Sequence, residues 1–483
     1  MNKTIKMLPL VAVMLLSGCV NLAPDAQEPL APVEAAWPTG EAYGWMDVRK
    51  DALPSWKEFF QDERLRSVIA MALENNRDLR IAALKVDKAR AQYGIQRSQL
   101  LPTVGANFDE KVTRNQTTGN DVTNHSYDAS IGLVSYELDF FGHVRNMNEQ
   151  ALQSYLATDD ARASFENTLI SEVTMLWLTA ATDNVQLALQ REILKTQEES
   201  FRMIEESYRL GAASRFDLEQ ARTTVSAARA GITKYVRAVA MDRNALDLLC
   251  GAKVADSLIP TDLPAVLTQK VFLPEGLPGD VILNRPDIRM AERGLEAAAA
   301  NIGVARAAFL PRVTITGAAG TSSGIGTDGS DGHLSDGHLS DLFDPMTGYW
   351  AFTPKVSLPI FTGGRNLANL EAAKVGERIA VAEYEKAIQK AFREVADALA
   401  SEGTVERELK ALTDLAEAAG KAYELADLSY KAGAVSYNDL LISQRAMVDA
   451  RQGMIAAQRA RVASAVTLYK VLGGGSAAVD KTE

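Results

Sequence analysis

The sequence predicts a mainly α-helical chain with a small set of strands, built as a duplicated unit of helix, strand, strand and long helical hairpin. Three observations predict it. The first is an internal repeat. Asn75-Asn76-Arg77-Asp78-Leu79-Arg80 returns 209 residues on as Asn284-Arg285-Pro286-Asp287-Ile288-Arg289, and Leu101-Pro102-Thr103-Val104 returns as Leu310-Pro311-Arg312-Val313. Tyr208-Arg209-Leu210-Gly211-Ala212-Ala213-Ser214 then matches Tyr430-Lys431-Ala432-Gly433-Ala434-Val435-Ser436, with Asp217-Leu218 matching Asp439-Leu440 in register. The second is uninterrupted helical sequence. No proline lies between Pro102 and Pro260 or after Pro359, and no glycine between Gly142 and Gly211. A helix over that stretch is on the order of 100 Å long, which suits a coiled coil and not a compact globule. The third is a group of short alternating segments just after each Leu-Pro.

Taken in order, Lys3 and Lys6 precede an apolar run from Leu8 to Leu16. That run is too short to span a bilayer, which takes ~20 residues, and reads as a secretory signal. It ends in Leu16-Ser17-Gly18-Cys19, which resembles the lipobox of bacterial lipoproteins. By that resemblance, cleavage leaves Cys19 as an acylated first residue, and Val20 lacks the acidic inner-membrane retention signal. The expected divisions are a signal peptide over 1–18, an acylated N-terminal segment over 19–64, repeat units over 65–251 and 281–472, a linker over 252–280 and a tail over 473–483.

Within the long helices, Leu187, Leu194, Phe201 and Tyr208 recur every seven residues. Leu409, Leu412, Ala416, Ala419, Tyr423, Ala426 and Tyr430 alternate steps of three and four, an a/d seam. Gly211 and Gly433 end the two patterns as helix C-terminal glycines do, so the chain reverses there. In the strands, Val104, Ala106, Phe108 and Val112 face one way, and Tyr127, Ala129, Ile131 and Leu133 share a parity. The apolar set then shifts to Val134, Tyr136, Leu138 and Phe140, which predicts a bulge or an exit from the sheet near Ser135. Trp350, Phe352, Val356, Leu358 and Ile360 share one parity, and Val313 and Ile315 begin the remaining strand. Such strands suit a small membrane β-barrel and equally a half-buried sheet. Four strands cannot close a membrane barrel, whose smallest forms have about eight, whereas three chains sharing one barrel supply ~12. Asn115 to His125 and Thr321 to Gly348 read as polar surface loops.

Composition narrows the function. The chain has 483 residues, 51 Lys+Arg and 62 Asp+Glu. Loss of residues 1–18 leaves 49 basic residues against 62 acidic ones, a net −13. That balance argues against nucleic acid as a partner. Cys19 and Cys250 are the sole cysteines, so no disulfide framework exists and Cys250 reads as a small core residue. The four histidines fall on apparent loops or turns. His333 and His338 sit in a tandem Asp-Gly-His-Leu-Ser and read as solvated, because no rigid element fixes a metal ligand.

Catalytic motifs fail on context, so no enzyme is expected. Gly320-Thr321-Ser322-Ser323-Gly324 fits the nucleophile-elbow pattern, but a Gly/Ser/Asp loop follows where a helix is required. Gly324-Ile325-Gly326-Thr327-Asp328-Gly329 fits the dinucleotide pattern but opens no helix. No P-loop and no His-Glu-x-x-His occurs.

The lipobox, the duplication, the Gly-terminated hairpins and Leu-Pro before a strand together resemble the TolC family of outer-membrane efflux ducts, in its acylated OprM-like (NodT-type) branch. Tyr136-Glu137-Leu138-Asp139-Phe140-Phe141-Gly142, Leu358-Pro359-Ile360-Phe361 before Gly363-Gly364-Arg365, Tyr469-Lys470-Val471-Leu472-Gly473-Gly474-Gly475 and Trp56 to Phe60 add to the likeness. It covers Cys19 to about Gly475. The resemblance implies a homotrimer with a shared 12-stranded barrel and an α-helical coiled-coil tunnel. It implies a belt from Ala36–Asp62, Ala252–Leu277 and the C-terminus. It further implies outer-membrane lipid around the barrel, a periplasmic membrane-fusion adaptor and an inner-membrane RND-type pump as partners, and no cofactor beyond the lipid on Cys19. Leu210, Gly211 and Ala212, with Ala432, Gly433 and Ala434, match the turns that dock the adaptor. Asp439 matches an acidic ring of the family's periplasmic gate, with Asp217 its repeat mate and Tyr430 beside the entrance. A second acidic position is Ile442 here, and an apolar one is Asn438, so a two-ring gate is not carried over. Asp439 also reads as a first-turn charge favoured by the helix dipole. The alternative function is a periplasmic coiled-coil structural or adaptor lipoprotein without a pore.

Overall fold

The structure, a computed structural model, describes residues 20–26, 29, 31–43, 48–50, 53–117, 120–264, 267–276, 278–323, 337–345 and 347–474. Cys19, His333, the dinucleotide-like run and the tail beyond residue 474 lie outside the described residues. The main elements are α1 (Glu63–Asn75), α2 (Arg77–Ser98), β1 (Val104–Thr117), β2 (Asn120–Leu138), α3 (His143–Arg209), α4 (Arg215–Cys250), α5 (Pro286–Ala307), β3 (Arg312–Ser323), β4 (Gly348–Ser357), α6 (Arg365–Lys431) and α7 (Tyr437–Val471).

The duplication is visible in the lengths. Helices α2 and α5 each have 22 residues, and α3 and α6 each have 67. Helices α4 and α7 have 36 and 35. At ~1.5 Å per residue α3 is about 100 Å long. The repeated Asn-Arg-Asp anchors do equivalent work in the two copies. Asn76 is buried; its Nδ2 donates to Leu249 O at 2.7 Å and its Oδ1 accepts from Leu79 N at 2.8 Å. Its mate Arg285, also buried, donates to Val471 O at 2.8 Å, bidentately to Asp287 at 2.9 and 2.7 Å, and to Glu394 at 2.7 Å. Each anchor thus satisfies a carbonyl at the end of the hairpin's closing helix, and Asn76 also caps α2 by accepting from Leu79 N.

The chain divides into two compact units, Met1–Glu28 with Val86–Thr158 and Ala291–Tyr384, and Pro29–Lys85 with Asp159–Met290 and Glu385–Glu483. Each takes segments from both repeats. The first holds the four-stranded sheet, ordered β1-β2-β3-β4 and antiparallel throughout. The register slips between Leu133 and Tyr136, where Val134 and Ser135 oppose the single residue Thr316. Of the two outcomes the parity shift allowed, this is the bulge; pairing continues through Leu138. Tyr93 stacks on Tyr155 at 6.2 Å, and Ile302, Ala305 and Ala373 pack α5 on α6.

Two expectations are corrected. The stretch from Asn115 to His125 is not a loop: β1 runs to Thr117, β2 starts at Asn120, and Thr117 pairs with Asn120. Polar residues extend a hairpin because the ladder is made by backbone groups, to which side-chain polarity is indifferent. His125 accordingly lies in β2, and His143 is the first residue of α3. The second predicted loop is also shorter than Thr321 to Gly348, since β3 includes Ser322 and Ser323 and β4 begins at Gly348. A strand at Ser322 removes the nucleophile elbow, which needs a sharp turn there.

In the second unit, Phe59 stacks on Tyr469 at 4.0 Å, and the Tyr469 hydroxyl donates to Pro54 O at 2.8 Å. Trp177 is fully buried and donates to Leu258 O at 2.8 Å. The segments expected to form a belt pair with each other: Val48 with Leu273 in parallel, and Phe60 with Thr268. Cys250 is buried, as read, and burial pushes its thiol up to about 11, so it is unreactive at neutral pH. No helix among the described residues is long and apolar enough to cross a membrane.

Gly251 closes α4 at φ +65°, and a Cβ there would lie 2.2 Å from Asn75 O. Gly433 has a similar φ of +74° but open space around it. Gly251→Ala is therefore expected to cost more than the ~1–3 kcal/mol of backbone strain alone, and Gly433→Ala only that strain. Thermal unfolding of the two variants checks the order.

Candidate functional site

The sheet separates its two faces. Cross-strand rows Val104–Leu133–Gly317–Phe352 and Ala106–Ile131–Ala319–Trp350 lie on one face, and the bulge keeps Tyr136 and Leu138 with them, opposite Ile315 and Val313. The other face carries Asn107–Ser130–Gly320–Tyr349 and Asp109–Asp128–Ser322. The Tyr349 hydroxyl donates to Asp128 Oδ2 at 2.8 Å. The apolar face is uncovered, with Phe108 61% and Trp350 80% exposed. Both edges, β1 and β4, have one unpaired side among the described residues. An ordinary half-buried sheet would cover its apolar face; this one presents it together with two edges that another chain can pair.

The hairpin ends are built by capping chemistry. Ala212 N donates to Ser207 O at 2.7 Å and Gly211 N to Tyr208 O at 3.0 Å. Ala434 N donates to Ser429 O and Gly433 N to Tyr430 O, both at 2.9 Å. Each set is a Schellman motif, and the positive φ it needs is why glycine stands at both turns. The next helices start with capping boxes. The Ser214 and Ser436 hydroxyls donate to Asp217 and Asp439 Oδ2 at 2.6 Å, and each Asp amide donates back to its serine. The turn residues Leu210, Gly211, Ala212, Ala432, Gly433 and Ala434 are all exposed, and a Cβ added at either glycine would meet no atom of the described residues within 4 Å.

Of the expected gate residues, Tyr430 and Asp217 are brought near each other. Burial, and then the Asp217 charge, push the Tyr430 phenol up. Tyr430 packs against Tyr437 at 5.7 Å, in a core with Ile204, Ala221, Leu440 and Leu441 that joins the two hairpins. Asp439 is exposed, and its carboxylate is held by Ser436, whose hydroxyl and amide hydrogen bonds lower its pKa. The local geometry of Asp439 is thus that of a helix cap.

Sequence reasoning missed three features here. Phe216, in the first turn of α4, is 73% exposed, and Leu210 and Ile442 are also uncovered apolar side chains. An aromatic beside an N-cap was a readable signal. Gln197 Nε2 donates to Gln444 Oε1 at 2.6 Å inside the coil. Asp183 of α3 and Asp242 of α4 act on each other, and burial, the largest cause at each, pushes both carboxyls up from the ordinary aspartate value. Burial first, then the charge of Asp183, push Asp242 up to about 6, against the attraction of Arg459. Arg459 in turn donates to Thr179 Oγ1 at 3.0 Å. These two aspartates are 59 residues apart and had no sequence signature.

A family model described as outer membrane efflux protein matches residues 68–252 and 277–474. The chain is 43% identical over 478 residues to the solvent efflux pump outer membrane protein SrpC of Pseudomonas putida, covering 97% of this chain and 98% of that protein. It is 37% identical over 465 residues to outer membrane protein OprJ of Pseudomonas aeruginosa, covering 95% and 93%. Among solved structures, it resembles the open state of the Neisseria gonorrhoeae MtrE outer membrane channel, with TM-score 0.82, 34% identity and coverage of 94% and 98%. It resembles CusC with TM-score 0.83, 34% identity and coverage of 94% and 100%.

Asp242 has a folded pKa near 6 against an ordinary 3.8. Its stabilising contribution is therefore complete below about pH 4 and lost as pH rises through about 6. Asp242→Asn is expected to raise the unfolding midpoint by a few degrees at pH 7.5 and to change it little at pH 4, measured by paired thermal scans. Ser436→Ala, which removes a cap, is expected to cost ~1 kcal/mol, read as a lowered midpoint.

Proposed function

The chain belongs to the outer membrane efflux protein family, and on that premise we propose that three copies build one duct fed by a periplasmic adaptor and an inner-membrane RND-type pump. The protein is an outer-membrane channel component of an efflux pump. The observation that carries the trimer is the uncovered apolar face of an open-edged, four-stranded sheet. Unpaired strand edges are not tolerated in hydrocarbon, and three such sheets give ~12 strands, within the range of known barrels. Helix α2 agrees: none of its residues is buried within the chain, and Ile95 is 69% exposed, which leaves a helical face for a neighbouring copy. The pore-free adaptor reading has no use for this arrangement.

Conduction is passive. The duct supplies a water-lined path, the polar sheet face with Asp109, Asp128 and Tyr349 lines the barrel interior, and the pump supplies the work. Cargo selection then rests with the pump; SrpC is named for solvent efflux. The two small-residue turns dock the adaptor. At each, a helix ends in a Schellman glycine with open space around it, so a partner's helical tip approaches the backbone closely. Tyr430, Asp217 and Asp439 are assigned to the periplasmic entrance, and opening is a shift of the second hairpin biased by adaptor contact. Cys19 carries the lipid anchor.

The test uses an efflux-deficient Gram-negative host supplied with the cognate adaptor and pump. Gly433→Asn, which tolerates the left-handed turn, is expected to keep resistance near wild type. Gly433→Trp is expected to reduce resistance to within about twofold of the duct-less strain while the oligomer survives mild detergent; the bulk fills the notch that a partner tip must enter. Full resistance with Gly433→Trp contradicts the docking assignment.

A further inference from the structure

We propose that Gly142, Asn146, Gly303 and Arg306 form a receptor for the chain's own N-terminal strap, Val20–Ala23, which clamps the lipid-bearing end of the protein to the base of the strand sheet. The proposal rests on the reading of Cys19 as the acylated first residue of the mature chain.

The strap is held by its backbone. Val20 N donates to Phe140 O at 3.2 Å, two residues beyond the end of β2. Arg306 Nη1, from α5, donates to Leu22 O at 2.8 Å. Asn21 Oδ1 accepts from Ala23 N at 3.1 Å and turns the strap onto the helix. Two glycines make room for it. Gly142 adopts φ +76°, and a Cβ there would lie 3.4 Å from Val20 O and 3.5 Å from Asn21 Oδ1. Gly303 lies inside α5, where glycine weakens a helix relative to alanine. A Cβ at Gly303 would lie 2.9 Å from Ala23 N and 2.4 Å from Asn146 Nδ2.

Asn146 is the second, independent sign. It is 2% exposed, it sits between the two glycines, and its Nδ2 has no hydrogen-bond partner among the described residues. A buried amide donor without an acceptor is costly, and such groups in native proteins mark a missing partner. The residue one peptide bond before Val20 is Cys19, and a lipidated cysteine carries amide and ester carbonyls, the acceptor chemistry that Asn146 lacks.

The duplication provides an internal control. In the repeat, Gly303 and Arg306 have the mates Gly94 and Arg97, and Gly142 and Asn146 have the mates Gly364 and Ala368. Among the described residues, nothing lies within 4 Å of a Cβ at Gly94 or Gly364. The scaffold is repeated, but the asparagine and the occupying strap belong to one copy alone. Consecutive Cα atoms are ~3.8 Å apart, so holding Val20 at Phe140 fixes the acyl anchor within one residue of the sheet's base. Anchor and strands then share one membrane plane, which a loose tether would not enforce.

The test reads strap accessibility by thiol reactivity in the full-length protein purified in mild detergent. Ala23→Cys adds a single new thiol, because Cys19 is acylated and Cys250 is buried. Asp25→Cys, at an exposed position, is the reference. Maleimide is expected to label Ala23→Cys at least tenfold more slowly than Asp25→Cys. Adding Arg306→Ala, Asn146→Ala or Gly303→Leu is expected to bring the rate up to the reference; Arg306→Ala removes only the strap bond, should Gly303→Leu fold poorly. Mass spectrometry of the N-terminal peptide checks acylation independently. Equal rates at positions 23 and 25 in the parent, or no acceleration in Arg306→Ala and Asn146→Ala, overturn the receptor. Slow labelling with an unmodified Cys19 overturns the lipid assignment and leaves the strap receptor standing.

Discussion

A backbone group that loses water must find another partner, and a sheet of four strands with two free edges cannot meet that demand alone in hydrocarbon. Much of this molecule answers to that constraint. One sheet face is apolar from Val104 through Trp350, and the opposite face is polar. The extra residue at Val134–Ser135 keeps Tyr136 and Leu138 on the apolar side, where strict alternation from Leu133 would have placed them on the polar one. The exposed edges, the uncovered aromatic side chains and the unburied α2 are liabilities in a lone chain and pairing surfaces in an assembly.

The helices carry a different burden. Two 67-residue helices need fixed ends, because a long hairpin magnifies any error at its turn. At one end, paired Schellman motifs and capping boxes satisfy the amide and carbonyl groups that helix termini leave free. At the other, Asn76 and Arg285 tie Leu249 and Val471 back to the anchors that open each repeat. The same device appears twice because the unit was duplicated, and the copies diverge where the partner differs: a neutral asparagine in one, and an arginine with two carboxylates in the other. The Asp183 and Asp242 carboxyls are the exception to this tidy pairing: two half-buried acids whose pKa burial raises, with Arg459 opposing that rise.

What the sequence revealed follows from the range of each interaction. Helix lengths, the Gly211 and Gly433 turns and the bulge near Ser135 are local or periodic, so a single chain displays them. The first-turn reading of Asp439 matches its geometry, to which the structure adds the capping box with Ser436. The extent of the β1–β2 hairpin was hidden because polar residues give no alternation while their backbones still pair. The aspartate pair, the Gln197–Gln444 contact and the strap receptor depend on residues far apart in sequence that meet only after packing. Gly142 and Gly303 show this most plainly: a glycine in sequence reads as a turn or a weak point, and only the structure shows the segment that occupies the space.

The central claim is that the strands themselves, and not the lipid alone, hold the protein in the outer membrane as a multi-chain barrel. A Cys19→Ala chain exported by a non-lipoprotein signal, in a Gram-negative host, tests it directly. The account predicts that it stays in the outer membrane through a high-pH wash and runs in mild detergent at about three times the mass of one chain. Release as a soluble single chain would contradict the account and leave the lipid as the sole anchor.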